Sequence, residues 1–224
     1  MRIITGIYKG RRFDIPRSFK ARPTTDFAKE NIFNVLNSYI DLEGVRALDL
    51  FAGTGSISLE LLSRGCSQVV SVEADRDHAR FIGECVRKLG VTNHQLIRGD
   101  VFRYLKSAQK SFNLERGSAA LNGRRPLNLE RDAVALNAAQ QLLNRGEAAI
   151  EHPDKGRAFS FIFADPPYAL PNLPDIPDLV LQSGLLAPGG VFVFEHGKQN
   201  NFSSHPCFRE HRAYGSVNFS IFTT

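Results

Sequence analysis

Short apolar segments alternate with amphipathic segments along most of the 224-residue chain. We predict five strands from the first kind: residues 45–50, QVVSVEAD (68–75), HQLIRGD (94–100), FSFIFADPPY (159–168) and GGVFVFEH (189–196). These strands are continuous apolar runs, which is typical of parallel strands covered on both faces. Two further strands, REHRAY (209–214) and VNFSIF (217–222), are close enough in sequence to form an antiparallel hairpin at one edge. The pattern predicts an α/β fold with a mostly parallel sheet and helices on both faces.

Two segments lie outside this alternation. RIITGIYKGRRFDI, around Lys9-Gly10, predicts a small hairpin within an N-terminal basic arm of residues 1–25. Residues 26–224 then form the main domain, whose first helix is capped by Thr25 or Asp26. That helix is expected to place Phe27, Ile32, Phe33, Leu36 and Ile40 on one apolar stripe. Residues 108–157 are longer than one crossover requires, so we interpret them as an inserted, partly helical excursion, with a helix over 128–146.

Acidic residues stand at or just after the carboxyl ends of consecutive predicted strands: Asp49, Glu73, Asp100 and Asp165. In open α/β sheets, ligands bind outside these ends. Several converging carboxylates indicate a ligand rich in hydrogen-bond donors, and they disfavour a phosphate-rich ligand, which they would repel. The alternative is that Asp49 and Glu73 only cap helices or accept hydrogen bonds from backbone donors.

The turn DLFAGTGS follows the first strand, and Gly53 and Gly55 allow it to turn tightly and approach a ligand. It lacks the third glycine of G-x-G-x-x-G, where Ser58 stands, and the Gly-Lys-Ser/Thr of a P-loop. Together with the acids, this favours a nucleoside ligand without a pyrophosphate. S-adenosylmethionine fits: its ribose at Glu73, its adenine amine at Asp100 and its methionine end over the glycine turn. Phe51 is expected beside the adenosine or in the core.

Net charge is concentrated at the start of the chain. Residues 1–40 hold eight Lys/Arg and three Asp/Glu, whereas the remaining 184 residues hold twenty of each. This distribution is compatible with a nucleic-acid-binding arm or with a solvated basic terminus. The cysteines, Cys66, Cys85 and Cys207, lack the spacing of a disulfide framework or a zinc site, and no segment approaches a membrane span. We therefore expect a cytoplasmic protein without a metal or a membrane partner.

FAGTGS, Glu73, Gly99-Asp100 and DPPY (165–168) occur in the order of the class I S-adenosylmethionine-dependent methyltransferases, which the chain resembles. DPPY is similar to the [DNS]-P-P-[YF] motif of enzymes that methylate amino groups. GIYKGRRF, RPTTD (22–26) and ENIFN (30–34) resemble the bacterial 16S rRNA guanine-N2 methyltransferase family. The resemblance covers residues 2–107 and 158–222. It implies a sheet order of 3-2-1-4-5-7-6, no metal, and 16S rRNA or a partly assembled small ribosomal subunit as partner.

The resemblance also implies a site. The Asp165 carboxylate and the Pro166 carbonyl are expected to accept hydrogen bonds from the exocyclic amine, and Tyr168 to stack on a flipped base. The prolines lack N–H donors and restrict the backbone, which fixes the direction of the carbonyl group. Methyl transfer from S-adenosylmethionine to N2 of guanine would leave S-adenosylhomocysteine. Taken alone, DPPY could be a proline-rich strand exit with a surface tyrosine. Candidate substrate contacts, besides Tyr168, are Lys9, Arg11, Arg12, Arg22, Thr24, Thr25 and Pro167.

Three alternatives remain open from the residues. An N6-adenine DNA methyltransferase would use the same acid and prolines. A non-catalytic RNA-binding assembly factor could retain the fold, although it would have no need of both DPPY and the glycine turn. Arg22, Thr24 and Thr25 could instead stabilise a loop through their own hydrogen bonds.

Overall fold

The computed structural model describes residues 1–19, 25–122 and 158–224. Its helices are α1 (Asp26–Leu36), α2 (Ser56–Ser63), α3 (Arg76–Leu89), α4 (Val101–Asn122) and α5 (Ile176–Gln182), with a short 3-10 helix at Leu173–Asp175. Its strands are β1 (Arg46–Leu50), β2 (Gln68–Glu73), β3 (His94–Arg98), β4 (Phe159–Ala164), β5 (Leu186–His196), β6 (Phe208–Tyr214) and β7 (Val217–Thr223).

The seven strands form one sheet in the order β3-β2-β1-β4-β5-β7-β6. Neighbours from β3 to β5 are parallel, and β7 pairs antiparallel with both β5 and β6. This confirms the expected fold class, the sheet order and the terminal hairpin. β5 begins at Leu186, earlier than predicted, because a register shift against β4 accommodates the Ala-Pro-Gly-Gly turn within the strand.

The core has two layers because the central strands are buried on both faces. Phe161 and Phe163 pack on the face covered by α1, α2 and α3, whereas Ile162 and Ala164 face α4 and α5. Alternate residues of a strand point to opposite faces, so a strand buried on both sides must be apolar throughout. β6, at the edge, instead carries exposed charged residues, among them Arg209 and Arg212.

The first helix begins as predicted and ends earlier. The Thr25 hydroxyl accepts a hydrogen bond from the Ala28 N–H and caps α1. The predicted apolar stripe is wrong at its two ends. Phe27 is 66% exposed, because it lies on the helix face of exposed Glu30 and Asn34, and Ile40 lies beyond the end of the helix at Leu36.

The N-terminal segment forms a minimal antiparallel pair. A single bridge joins Arg2 to Arg12, flanked by backbone hydrogen bonds between Ile3 and Arg11 and between Phe13 and Met1. Turns occupy the residues between them, and Gly10 has the positive φ (81°) that the sequence suggested. Ile3 and Phe13 are buried against the core, so this segment packs on the body that the sheet forms.

Of the excursion at 108–157, the structure describes only the first part. α4 continues through residue 108 to Asn122, so this part is helical. The predicted helix over 128–146 lies outside the described residues. The division into an arm of 1–25 and a domain of 26–224 remains a prediction.

Candidate functional site

A cleft of about 770 Å³ opens at the carboxyl ends of the central parallel strands. This edge of the sheet gathers residues that are far apart in the sequence, because every parallel strand ends there. Most of the predicted site residues line it: Thr25, Asp49, Phe51, Gly53, Glu73, Asp100, Asp165, Pro166, Pro167 and Tyr168.

The turn between β1 and α2 forms the floor of the cleft. Gly55 has φ 74°, and a Cβ added there would lie 2.9 Å from the Ile82 side chain, so both the backbone and the packing require glycine. Phe51 has φ 61° and is the only non-glycine residue with positive φ among the described residues. Such a conformation costs energy and tends to occur at functional sites. The turn is therefore built for close backbone approach.

Glu73 at the end of β2 organises this turn. Its Oε2 accepts a hydrogen bond of 2.6 Å from the Gly53 N–H, and its Oε1 accepts one of 2.7 Å from the Asp75 N–H. Glu73 thus accepts hydrogen bonds from backbone donors, which the sequence analysis gave as an alternative role. A carboxylate has about four acceptor positions, so these two bonds leave capacity for a ligand in the cleft.

Asp49 lies deeper, on β1, and is 1% exposed. Its Oδ2 accepts hydrogen bonds from the Ser58 N–H (3.0 Å) and the Ser58 hydroxyl. The pKa of this carboxyl is raised to about 7, mainly by burial and also by the charge of Glu73, and the hydrogen bonds from Ser58 limit the rise. Asp49 is therefore an acid whose charge changes near neutral pH.

Asp100 and two aromatic rings form one side of the cleft. The Asp100 Oδ1 accepts a hydrogen bond of 2.9 Å from the Arg103 N–H in the first turn of α4. Val101 and Phe102 follow it and also line the cleft, and the Phe102 ring meets the Phe51 ring edge to face at 6.0 Å. This side combines an exposed carboxylate with an apolar wall, which suits a flat heterocycle that carries an amine.

Residues 165–168 stand where β4 leaves the sheet. The Asp165 N–H contacts the Leu50 carbonyl at 3.4 Å, which ties the strand exit to β1. Pro166 is buried and Pro167 is exposed. Tyr168 is 39% exposed, and its hydroxyl donates a hydrogen bond of 3.0 Å to Oε1 of the buried Glu195. Burial, together with the charges of Glu195 and Asp165, raises the pKa of the Tyr168 phenol, so this group remains a donor.

The predicted basic contacts lie elsewhere. Lys9, Arg11 and Arg12 are exposed on the N-terminal segment and do not line the cleft. Arg11 and Arg12 border a second, smaller groove together with Lys88 on α3. Arg22 and Thr24 lie outside the described residues. The segment nevertheless starts beside the cleft, since the Thr54 hydroxyl contacts Met1 Sδ at 3.6 Å.

Several residues that line the cleft were not predicted as site residues from the sequence. Phe102 and Val101 were detectable, since they directly follow an acid at a strand end. His78 on α3, 3.8 Å from Glu73, and Ser216 in the β6–β7 turn carry no local signal, because only the tertiary fold brings them to the cleft. Glu195 also lines the cleft, and its hydrogen bond to Tyr168 could not be predicted from the sequence.

Lys29 also has no signature in the sequence. It is fully buried on α1, and its Nζ donates to the Arg2 carbonyl (2.6 Å) and to the Ser56 hydroxyl (3.0 Å) at the start of α2. Its ammonium lies 3.8 Å from the buried carboxylate of Glu60. Burial lowers the pKa of Lys29, and Glu60 opposes that shift. This group links the N-terminal segment to the glycine turn.

The composition of the cleft narrows its chemistry. Among the described residues that line it, none is lysine or arginine. It is rich in acceptors and has apolar walls, which suits a nucleoside with free amines and hydroxyls and does not suit a pyrophosphate.

Residues 1–19, 25–122 and 158–224 contain no group of three or more His, Cys, Asp or Glu that could hold a metal ion. In these same ranges, none of the helices has the length and apolar character needed to cross a membrane.

The sheet order, the glycine turn and the row of acids define the class I S-adenosylmethionine-dependent methyltransferase fold. The chain belongs to the family described as "Conserved hypothetical protein 95", whose profile matches residues 1–115 and 124–223.

Two relatives and one solved structure place the chain more closely. It is 30% identical over 200 residues to a Bacillus subtilis (strain 168) protein named "Putative rRNA methyltransferase YlbH", covering 89% of this chain and 84% of the relative. It is 34% identical over 110 residues to "Ribosomal RNA small subunit methyltransferase D" of Escherichia coli (strain K12), covering 49% of this chain and 54% of that protein. A hypothetical protein of Thermus thermophilus superimposes with a TM-score of 0.71 at 25% identity, covering 100% and 99% of the two chains.

Proposed function

We propose that this protein transfers a methyl group from S-adenosylmethionine to the exocyclic N2 of a guanine in small-subunit (16S) rRNA. The observation that carries the proposal is that Asp165, Pro166 and Tyr168 line the same cleft as Gly53 of the glycine turn and the acids Asp49, Glu73 and Asp100. The names of the relatives, which refer to rRNA and to the small subunit, support the choice of substrate.

The residues present fit the cofactor. Glu73 suits the ribose hydroxyls and Asp100 the adenine amine, with Phe51 and Phe102 along the faces of the ring. Gly53, which lines the cleft, leaves room for the methionine end, whereas Gly55 permits the turn and packs against Ile82. Asp49 supplies a further carboxylate beneath the methionine end. When bound, S-adenosylmethionine supplies a methyl group activated by a positively charged sulfur.

The target amine is a weak nucleophile because its lone pair is delocalised into the base. Asp165 and the Pro166 carbonyl accept hydrogen bonds from its two hydrogens, which orients the amine and increases the electron density on nitrogen. The proton that the amine loses on methylation passes to Asp165 or to water. The two prolines restrict the backbone, so these acceptors are preorganised. Tyr168, held by Glu195, presents its exposed ring for stacking on a base taken out of its RNA context.

RNA binding is assigned to the basic N-terminal segment. Lys9, Arg11 and Arg12 are exposed on residues that begin beside the cleft, and phosphate contacts are made by clustered cationic side chains. Thr25 lies at the lip of the cleft as the cap of α1. Arg22 and Thr24 are further candidates from the sequence.

The test supplies the protein with tritiated S-adenosylmethionine and three substrates: small-subunit particles from cells that lack this gene, naked 16S rRNA, and duplex DNA. Digestion and mass spectrometry then identify the methylated nucleoside. N2-methylguanosine in either ribosomal substrate supports the proposal. N6-methyladenine in DNA, or no transfer to any substrate, contradicts it.

A pair of variants separates catalysis from binding. Asp165→Ala should lower transfer by at least about 100-fold, in the range of a lost transition-state acceptor, while calorimetric affinity for S-adenosylhomocysteine changes little. Asp178→Ala removes an acid from α5, outside the cleft, and should leave both unchanged. Full transfer by the Asp165→Ala variant would refute the role of the carboxylate.

A further inference from the structure

A chain of hydrogen bonds runs through the core from the floor of the cleft to the third strand. The Ser58 hydroxyl bonds to Asp49 Oδ2, the Ser58 and Ser71 hydroxyl oxygens lie 2.5 Å apart, and the Ser71 hydroxyl lies 2.8 Å from His94 Nε2. The four residues come from β1, α2, β2 and β3. Asp49 and Ser71 are register partners on adjacent strands, which places their side chains on the same face of the sheet.

The chain is enclosed. Both serines are completely buried, and Asp49 nearly so. Polar groups buried in this way cost free energy unless each is hydrogen-bonded, and apolar side chains could fill the same layer without that requirement. The chain leads outward at His94, which is half-buried at the start of β3.

The number of available hydrogens fixes which group donates and which accepts in each hydrogen bond of this chain. An ionised Asp49 only accepts, so the single hydroxyl proton of Ser58 points to it. Ser58 must then accept from Ser71, whose own proton is thereby used. Ser71 can only accept from His94, and Nε2 must therefore carry hydrogen. Since burial lowers the pKa of His94 to about 4, the ring is neutral at pH 7 and carries one hydrogen. The chain requires this hydrogen to be on Nε2 and not on Nδ1.

From this geometry we propose that His94 is a positioning residue: through Ser71 and Ser58, its Nε2–H holds the Asp49 carboxylate in the orientation and charged form that meets the cofactor. The link to the cofactor depends on the proposed function, whereas the effect on Asp49 does not. The charged group that bears on Asp49 is Glu73, at the end of β2. Other ionisable residues line the same cleft: Asp75, His78, Asp100, Asp165 and Glu195. Lys29 approaches the start of α2, through Ser56.

Two measurements on the cofactor-free protein test the chain directly. Nitrogen-15 NMR of the His94 ring should show the neutral Nε2–H tautomer at pH 8. Carbon-13 NMR of the Asp49 carboxyl should give titration midpoints that rise in the order wild type, His94→Ala, Ser71→Ala, Ser58→Ala, because each successive change removes a donor closer to the carboxylate. His94→Gln keeps an N–H donor and should restore the midpoint to within about 0.3 pH units of wild type.

Ser220→Ala provides the matched control. Ser220 is also a buried strand serine hydrogen-bonded to a histidine, His196, at 2.9 Å, but it lies on β7, away from β1 and Asp49. This variant should leave the Asp49 midpoint unchanged. An Nδ1–H tautomer at His94, or an unchanged midpoint in Ser71→Ala, overturns the proposal. An equal shift in Ser220→Ala also overturns it.

Calorimetry with S-adenosylhomocysteine extends the test to binding. Ser71→Ala and His94→Ala should weaken binding by about 3- to 20-fold at pH 7, and raising the pH should recover part of the loss as Asp49 ionises. Unaltered affinity in both variants would refute the positioning role. If wild-type protein bound no S-adenosylhomocysteine, the proposed function would fail, while the Asp49 titration would still decide whether the chain acts on that carboxylate.

Discussion

Tyr168 has two parts with different surroundings. Its hydroxyl is bonded to the buried carboxylate of Glu195 at the end of β5, whereas its ring is partly exposed at the mouth of the cleft. A tyrosine fixed at its polar tip presents a rigid ring face at low entropic cost. The hydrogen bond and the ring should therefore contribute separately to function.

Substitution of Tyr168 can separate the two contributions. Tyr168→Phe keeps the ring and loses the bond, so single-turnover methyl transfer should fall about 3- to 10-fold, as for a modest hydrogen-bond loss. Tyr168→Ala also loses base stacking, worth about 1–3 kcal/mol, and should fall by roughly a further factor of 10 or more. Equal rates in the two variants would show that the ring does not contact the base.

Asp49 should make stability depend on pH in an unusual direction. Its folded-state pKa, about 7, lies above the ordinary value of 3.8, so its contribution is complete below pH 4 and is lost as pH rises through 7. Asp49→Asn removes this loss. At pH 8 it should raise the free energy of unfolding of the cofactor-free protein by up to roughly 4 kcal/mol, from three pH units at 1.36 kcal/mol each.

Urea unfolding at several pH values between 4 and 8 measures this effect. The difference between Asp49→Asn and wild type should widen with pH over that range, and His94, present in both, largely cancels. The exposed acid Glu30, replaced by Gln, should give no such trend. A constant difference would show that Asp49 titrates normally. Because the proposed function places the Asp49 carboxylate beneath the cofactor, the same substitution should also weaken S-adenosylhomocysteine binding.

The connection between the N-terminal segment and α2 involves both backbone and side chains. The Ile4 and Thr5 N–H groups donate to the two oxygens of buried Glu60 at 2.7 and 3.0 Å, and the Ile7 N–H donates to the Ser63 carbonyl at 2.8 Å. With Lys29 bridging from α1, this network provides partners for the buried Glu60 carboxylate and for the three backbone N–H groups that face α2. The segment is thus fastened to the helix that follows the glycine turn.

Gly6 should be essential to this attachment. It has φ 86°, and a Cβ there would lie 1.8 Å from the Ser63 carbonyl oxygen, so Gly6→Ala must push the segment off α2. Gly10→Ala is the matched control, since Gly10 has φ 81° but no atom within 4 Å of an added Cβ. Both variants bear the cost of positive φ, about 1 kcal/mol.

Thermal unfolding and limited proteolysis distinguish the two. Gly6→Ala should lose at least about 2 kcal/mol more than Gly10→Ala, and the first residues of its chain should become the earliest cleavage site. Equal losses would mean that the contact with Ser63 is not rigid. The attachment itself could not be foreseen, because Glu60 and Lys29 read as ordinary exposed helix charges in sequence.

Across the whole molecule, features that depend on local sequence patterns could be predicted, whereas those that depend on contacts between distant segments could not. The sheet was predictable because continuous apolar strands and their connecting helices are local signals, and the cleft because strand-end acids must converge in a parallel sheet. What sequence missed arises from contacts between distant segments: exposed Phe27 beside Tyr214, the Glu195–Tyr168 bond, and the serine chain to His94. In each case the residue acquires its role only from neighbours that are distant in the sequence.

The concentration of net charge in the first 40 residues predicts how RNA affinity responds to salt. Replacing Lys9, Arg11 and Arg12 by Gln should lower affinity for 16S rRNA fragments and reduce the slope of log affinity against log salt by about 2, for three lost phosphate contacts on single strands. Filter binding between about 50 and 200 mM salt measures both quantities. The same change at three exposed lysines elsewhere, Lys106, Lys110 and Lys198, should leave the slope nearly unaltered. Equal slopes in wild type and the first variant would exclude the N-terminal segment as the contact.

The charged outer face of β6 has a practical consequence for handling the protein. An open strand offers unpaired backbone groups on which another chain can grow, and charged side chains discourage that addition. Arg209 and Arg212 are exposed on this strand, and the turn after α1 contacts it where the Tyr39 hydroxyl donates a hydrogen bond of 2.7 Å to Glu210. At this edge strand the purified protein should resist aggregation by strand addition at the millimolar concentrations that magnetic resonance requires.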